Sequence, residues 1–142
     1  MLSYQHSYHA GNLADVQKHA LLATALAYMT AKPKPMSYIE THAGRGLYDL
    51  GSEAAQKTGE AAAGILRLEG AFPADHPYRQ RLAETRARFG PMAYPGSPLV
   101  AALSLRDGDV MHLCDLHPQE FDALSTVMQP WGAHLHREDG LK

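Results

Sequence analysis

Two glycines close the run Glu40-Thr41-His42-Ala43-Gly44-Arg45-Gly46, which follows a short apolar segment, Met36 to Glu40, that reads as a buried strand. In open α/β sheets, ligands bind beyond the carboxyl ends of the strands. Glycines placed there let the backbone come close to a ligand. The plainer alternative is a tight loop entering a helix. No strong helical pattern begins at these glycines, so the dipole-backed pyrophosphate site of a dinucleotide enzyme is poorly supported. A ligand without a pyrophosphate fits better. Asp115 ends a second apolar run, Val110-Met111-His112-Leu113-Cys114-Asp115. An acid at that place accepts hydrogen bonds from ribose hydroxyls, or serves only as an exposed acid or cap ahead of Pro118. Asp139, beside Gly140, follows a third run, Ala133–Arg137, where it can meet a heterocycle. Acids or turns at three consecutive strand ends together describe an adenosine pocket.

Other chemistries find less support. His6, His9 and His19 lie close together among nine histidines, but matching carboxylate or cysteine partners at ligand spacing are missing, so no metal site is expected. Gly96-Ser97-Pro98 is not the Gly-x-Ser-x-Gly elbow of a nucleophilic hydrolase. Cys114 lies mid-strand among apolar neighbours and reads as inert core. Arg79, Arg81, Arg86 and Arg88 resemble a nucleic-acid helix. At helical spacing, however, Tyr78, Leu82 and Phe89 form one stripe and the arginines flank it, which is the pattern of snorkelling side chains. The opening set Tyr4, His6, Tyr8, His9 and Lys18 combines stacking rings with cations, as single-stranded RNA recognition requires.

These groups need elements to hold them. Asn12 is an N-cap candidate for a helix from Leu13 to about Thr30, ended by Pro33 and Pro35. Residues 47–95, rich in glycine and proline, read as an inserted small helical subdomain with helical patterns near Glu60–Leu68 and Tyr78–Phe89. Ser97 and Pro98 suit the N-cap and first position of a helix running to about Leu105. Asp107-Gly108-Asp109 is a turn, and a further helix spans Pro118 to about Met128. The alternation of strands and helices predicts an α/β domain with a parallel sheet and right-handed crossovers. Such a sheet usually has more than three strands and both faces covered, so this one is expected to be incomplete, the N-terminal part of a longer protein. The remaining assignments are residues 1–46 as the opening of the main domain and 96–142 as its continuation.

The 142 residues are 45% hydrophobic and 20% charged with net charge −2, an ordinary globular balance that excludes polybasic nucleic-acid binding. One cysteine excludes a disulfide framework. No run approaches the ~18 apolar residues of a membrane span, and the opening residues lack a signal-peptide pattern. A soluble cytoplasmic protein is expected, with no membrane partner.

Met1-Leu2-Ser3-Tyr4-Gln5-His6-Ser7-Tyr8-His9-Ala10-Gly11-Asn12, with Ala14-Asp15-Val16 and Lys18-His19, closely resembles the N-terminus of the RlmJ (YhiR) family. Those are bacterial methyltransferases acting on N6 of an adenine in 23S ribosomal RNA. The likeness continues through Thr41-His42-Ala43-Gly44, Gly51-Ser52-Glu53-Ala54, Thr58-Gly59-Glu60, Tyr94-Pro95-Gly96-Ser97-Pro98 and Leu116-His117-Pro118. It implies a class I, Rossmann-like fold with a small helical insertion, S-adenosylmethionine as cofactor, 23S ribosomal RNA as substrate and a monomeric full-length enzyme. By the same resemblance the cofactor contacts are His19, His42, Ser97, Asp115, Asp139 and Gly140. Tyr4, His6 and Lys18 would meet the RNA. Asp115 stands where the family usually has glutamate. The family's catalytic Asp-Pro-Pro-Tyr is absent from this sequence. That motif holds the exocyclic amine and stacks on a flipped base, so no catalytic residue is expected in this chain, and the polypeptide alone is expected to be inactive. A noncatalytic module that binds RNA or adenosine is the alternative, with a metal-dependent hydrolase behind it.

Overall fold

Asn12 takes an extended backbone (φ −70°, ψ 176°) and its side-chain oxygen accepts the Asp15 N–H at 2.9 Å, which starts helix α1, Leu13–Thr30. Pro33 disfavours helical backbone at Lys32, and α1 ends at Thr30 as expected. The structure, a computed structural model, describes residues 4–142. Met1, Leu2 and Ser3 of the opening block lie outside the described residues.

Strands β1 (Ser37–Glu40), β4 (Val110–Cys114) and β5 (His134–His136) form a parallel sheet in the order β1-β4-β5. Ser37 lies opposite Val110, and His112 lies opposite His134. Side chains alternate across a strand, so Tyr38, Met111, Leu113 and Leu135 share one face. That face packs on Leu26 of α1, Leu99 of α6 (Ser97–Ser104), and Leu124 and Met128 of α7 (Pro118–Met128). The opposite face carries Ile39, which is 65% exposed, and a stacked His112–His134 pair with centroids 4.6 Å apart. This is an α/β fold with the parallel sheet of an incomplete Rossmann-like domain. Each strand is slightly shorter than the sequence suggests. Cys114 is therefore the half-buried last residue of β4, not a mid-strand core residue.

Residues 47–95 hold helices α2 (Glu53–Thr58), α3 (Glu60–Ala63), α4 (Ile65–Leu68) and α5 (Pro77–Phe89). Two strands not expected from the sequence bracket them: β2 (Leu47–Asp49) pairs antiparallel with β3 (Ala93–Pro95), Tyr48 opposite Tyr94. Ile65, Tyr78, Leu82 and Tyr94 share one core with Val16 and Ala23 of α1. The buried stripe of α5 is Tyr78, Leu82 and Thr85, whereas Phe89 remains 40% exposed. Phe89 is the last helical residue, and the turn at Gly90 (φ 112°) carries the chain away there. The arginines are held within the protein. Arg86 makes a two-pronged bond to Glu69 at 2.5 and 2.6 Å, Arg79 donates to the Phe72 carbonyl, Arg81 pairs with Glu84, and Arg88 lies over Trp131.

Candidate functional site

At the carboxyl ends of β1 and β4, the glycine loop is pinned from two sides. Asp115 accepts the Gly44 N–H at 2.8 Å and the His117 N–H at 2.9 Å. Arg45 forms a two-pronged bond to Glu120 in the first turn of α7, at 2.7 and 3.0 Å. Gly44 and Gly46 both have positive φ, and the chain leaves them into β2 rather than into a helix. No helix therefore starts at the glycines themselves, as it would in a dinucleotide-binding turn. His117, not Asp115, caps α7: its Nδ1 accepts the Glu120 N–H at 3.4 Å.

A cavity of about 500 Å³ opens above this loop, within the ~300–1,000 Å³ range of small-molecule sites. Tyr4, His6, Lys18, His19, His42, Ser97 and Asp115, all singled out from the sequence, line it. Asp139 and Gly140 line an adjoining hollow of about 280 Å³, which shares His42, Asp115 and His117 with the first. Gly140 is pressed against Thr41, where a Cβ would sit 2.4 Å from the carbonyl oxygen. Its role in this structure is close backbone approach.

Ser97 departs from expectation. Gly96 occupies the N-cap position of α6, and the Ser97 hydroxyl donates instead to Glu40 Oε1 at 2.6 Å. Tyr38 donates to the other Glu40 oxygen at 2.8 Å. Burial pushes the Glu40 carboxyl above its ordinary range, although the Ser97 and Tyr38 bonds and the Lys18 charge pull the other way. Glu40 was not among the residues picked from the sequence. The available signal was an acid as the last residue of the strand that enters the glycine loop.

His19 is 2% exposed, and its Nδ1 meets the Tyr94 hydroxyl at 3.0 Å, which in turn meets Tyr78 at 2.8 Å. Burial drives its imidazole down to about 4, with Asp15 opposing, so it is neutral at neutral pH. Over the cavity, Tyr4 is 70% exposed. Its hydroxyl meets His6 Nδ1 at 2.5 Å, and His6 Nε2 meets Asp15 Oδ2 at 2.6 Å. Asp15 is buried, which pushes its carboxyl up, but the His6 bond, His19 and the Gly11 N–H hold it below its ordinary value. Among the described residues, no group of three or more His, Cys, Asp or Glu is arranged to hold a metal ion. Nor is any helix long and apolar enough to cross a membrane.

Residues 33–142 match the family described as RsmJ: Ribosomal RNA large subunit methyltransferase D, RlmJ. The ribosomal RNA large subunit methyltransferase J of Escherichia coli (strain K12) is 41% identical over 146 residues, covering 100% of this chain and 52% of that protein. The protein of the same name from Haemophilus influenzae is 41% identical over 129 residues, covering 87% of this chain and 46% of its own length. A crystal structure of protein LPL1258 from Legionella pneumophila str. Philadelphia 1 superposes with a TM-score of 0.77 at 35% identity, over 94% of this chain and 50% of that one. The chain spans about half the length of the curated relatives it matches.

Proposed function

The chain belongs to the RlmJ family of ribosomal RNA large subunit methyltransferases, and from that premise we propose that it carries the cofactor-binding part of an enzyme that methylates N6 of an adenine in 23S ribosomal RNA. The observation carrying this reading is the pair of hollows that share His42 and Asp115 at the strand ends. Their donor set fits S-adenosylmethionine. Carboxylates suit a sulfonium and an ammonium, and an acid at the end of β4 suits a ribose.

In this reading Asp115 accepts the ribose hydroxyls with lone pairs left over from Gly44 and His117. Asp139 and the Gly140 backbone meet the adenine. His42 lies between the two hollows. His19, kept neutral by burial, gives the methionine end a wall without adding positive charge beside the sulfonium. Ser97, held by its bond to Glu40, supplies the polar floor there. The bound cofactor provides an electrophilic methyl for in-line displacement, for which positioning is the main requirement. Tyr4, His6 and Lys18 cover the cavity mouth, where Tyr4 stacks on a base and Lys18 meets a phosphate.

No Asp-Pro-Pro-Tyr occurs in this sequence, so the residues that hold the amine are assigned to a longer parent protein. The same absence favours, as a second reading, a module that binds RNA or adenosine without turnover. Incubating the parent with methyl-labelled S-adenosylmethionine and 23S transcript, then digesting the RNA, separates the two. Labelled N6-methyladenosine is expected. Label on another atom, or tight RNA binding with no label, overturns the enzyme reading.

A further inference from the structure

The cover over the cavity mouth is anchored by the helices of residues 53–68 as well as by α1. Thr58, at the end of α2, donates to the Tyr8 carbonyl at 2.6 Å. The Ile65 N–H of α4 donates to the Gly11 carbonyl at 2.8 Å. Gly64 leaves no room between the two segments, since a Cβ there would lie 2.1 Å from the Gly11 oxygen. Within this seam Glu60 Oε2, at the start of α3, meets His9 Nδ1 at 2.5 Å. The His9 ring lies flat against Tyr4, centroids 5.3 Å apart and planes 4° from parallel.

From this chain of contacts we infer that Glu60 is a positioning residue for the substrate-facing Tyr4 ring, acting through His9, and that the insertion serves as the platform for the RNA-facing cover. The inference rests on the proposed function for what Tyr4 meets, but the geometry stands apart from it. A carboxylate fixes the plane of an imidazole it bonds, and an imidazole so fixed offers one face for an exposed aromatic ring to stack on. Without that bond His9 is free to turn. Tyr4, being 70% exposed, then keeps only its tether to His6.

The test compares wild type, Glu60→Ala, Glu60→Gln and His9→Ala of the 142-residue chain by aromatic NMR and by two titrations, with S-adenosylmethionine and with a short adenine-rich single-stranded RNA. In Glu60→Ala the nuclear Overhauser contacts between Tyr4 and His9 are expected to vanish while those among His19, Tyr78 and Tyr94 persist. RNA affinity falls about 5- to 10-fold, the low end of a stacking contact's worth, and cofactor affinity stays unchanged. Glu60→Gln keeps an acceptor and restores most of the contact. His9→Ala, which leaves α3 untouched, repeats the RNA loss. Persistence of the Tyr4–His9 contacts in Glu60→Ala would overturn the inference. So would equal losses of cofactor and RNA affinity, which mark a merely structural role. A wild-type chain that binds no cofactor removes the proposed function alone, because the Tyr4–His9 contacts are read independently of it.

Discussion

The Asp115 carboxylate accepts the Gly44 backbone N–H at 2.8 Å, so the acid at the end of β4 holds the loop that follows β1. One side chain thus shapes the pocket and faces into it. Asp115→Ala is expected to weaken S-adenosylmethionine binding about 10- to 100-fold, the worth of losing charge-assisted hydrogen bonds. Asp115→Asn keeps one acceptor and should lose less. Titration calorimetry checks both, and equal affinities for all three proteins would refute the role.

Ser97 supports a buried acid. Its bond to Glu40 is one of the influences holding that carboxyl down against burial. Ser97→Ala should therefore raise the Glu40 titration midpoint further and cost about 1–3 kcal/mol of stability. Carbon-detected NMR of the side-chain carboxyl reads the midpoint directly. An unmoved midpoint would mean that the bond does not form in solution.

His19 makes stability depend on pH. Its imidazole falls from 6.5 to about 4 on folding, so between those values the unfolded chain takes up a proton that the folded chain refuses. Its contribution is complete above about pH 6.5 and is lost as pH falls toward 4, by on the order of 3 kcal/mol. Glu40, displaced upward, acts in the opposite sense, its contribution being lost as pH rises. Urea unfolding of wild type and His19→Gln across this window separates the two. The variant should show the shallower slope, and identical slopes would contradict the assignment.

The seam between the opening segment and helices α3 and α4 tolerates no side chain at Gly64. Gly64→Ala drives a methyl into the Gly11 carbonyl and should cost at least about 2 kcal/mol. A thermal melt unchanged from wild type would show that the two segments are not in contact.

Helices that end in explicit chemistry were readable in the sequence. Asn12 caps α1, proline stops it, and Pro118 to Met128 forms α7 as its pattern suggests. The β2–β3 ribbon was not readable, because three residues per strand give no alternation, and Tyr48 and Tyr94 draw their burial from α1 and α5 rather than from local sequence. Ser97 carries a capping signature, yet a buried carboxylate 57 positions earlier in the chain takes its hydroxyl. The same kind of distant pairing hid Glu40 and Glu60. A carboxylate's partner is set by tertiary packing, and His9 lies 51 positions from the acid it bonds. Of the residues gathered around the cavity of about 500 Å³, Tyr4, His6, Lys18 and Asp115 were readable from residue type and place in the chain, whereas His19 and Ser97 came from the resemblance of short motifs.

His42 and Asp115 are expected to form a cofactor pocket within this chain. The most direct test is titration calorimetry of S-adenosylmethionine into the 142-residue protein, with circular dichroism confirming the fold. One saturable site is expected, abolished or strongly weakened by His42→Ala and by Asp115→Ala. A folded chain that takes up no cofactor, or whose binding ignores both substitutions, would contradict it.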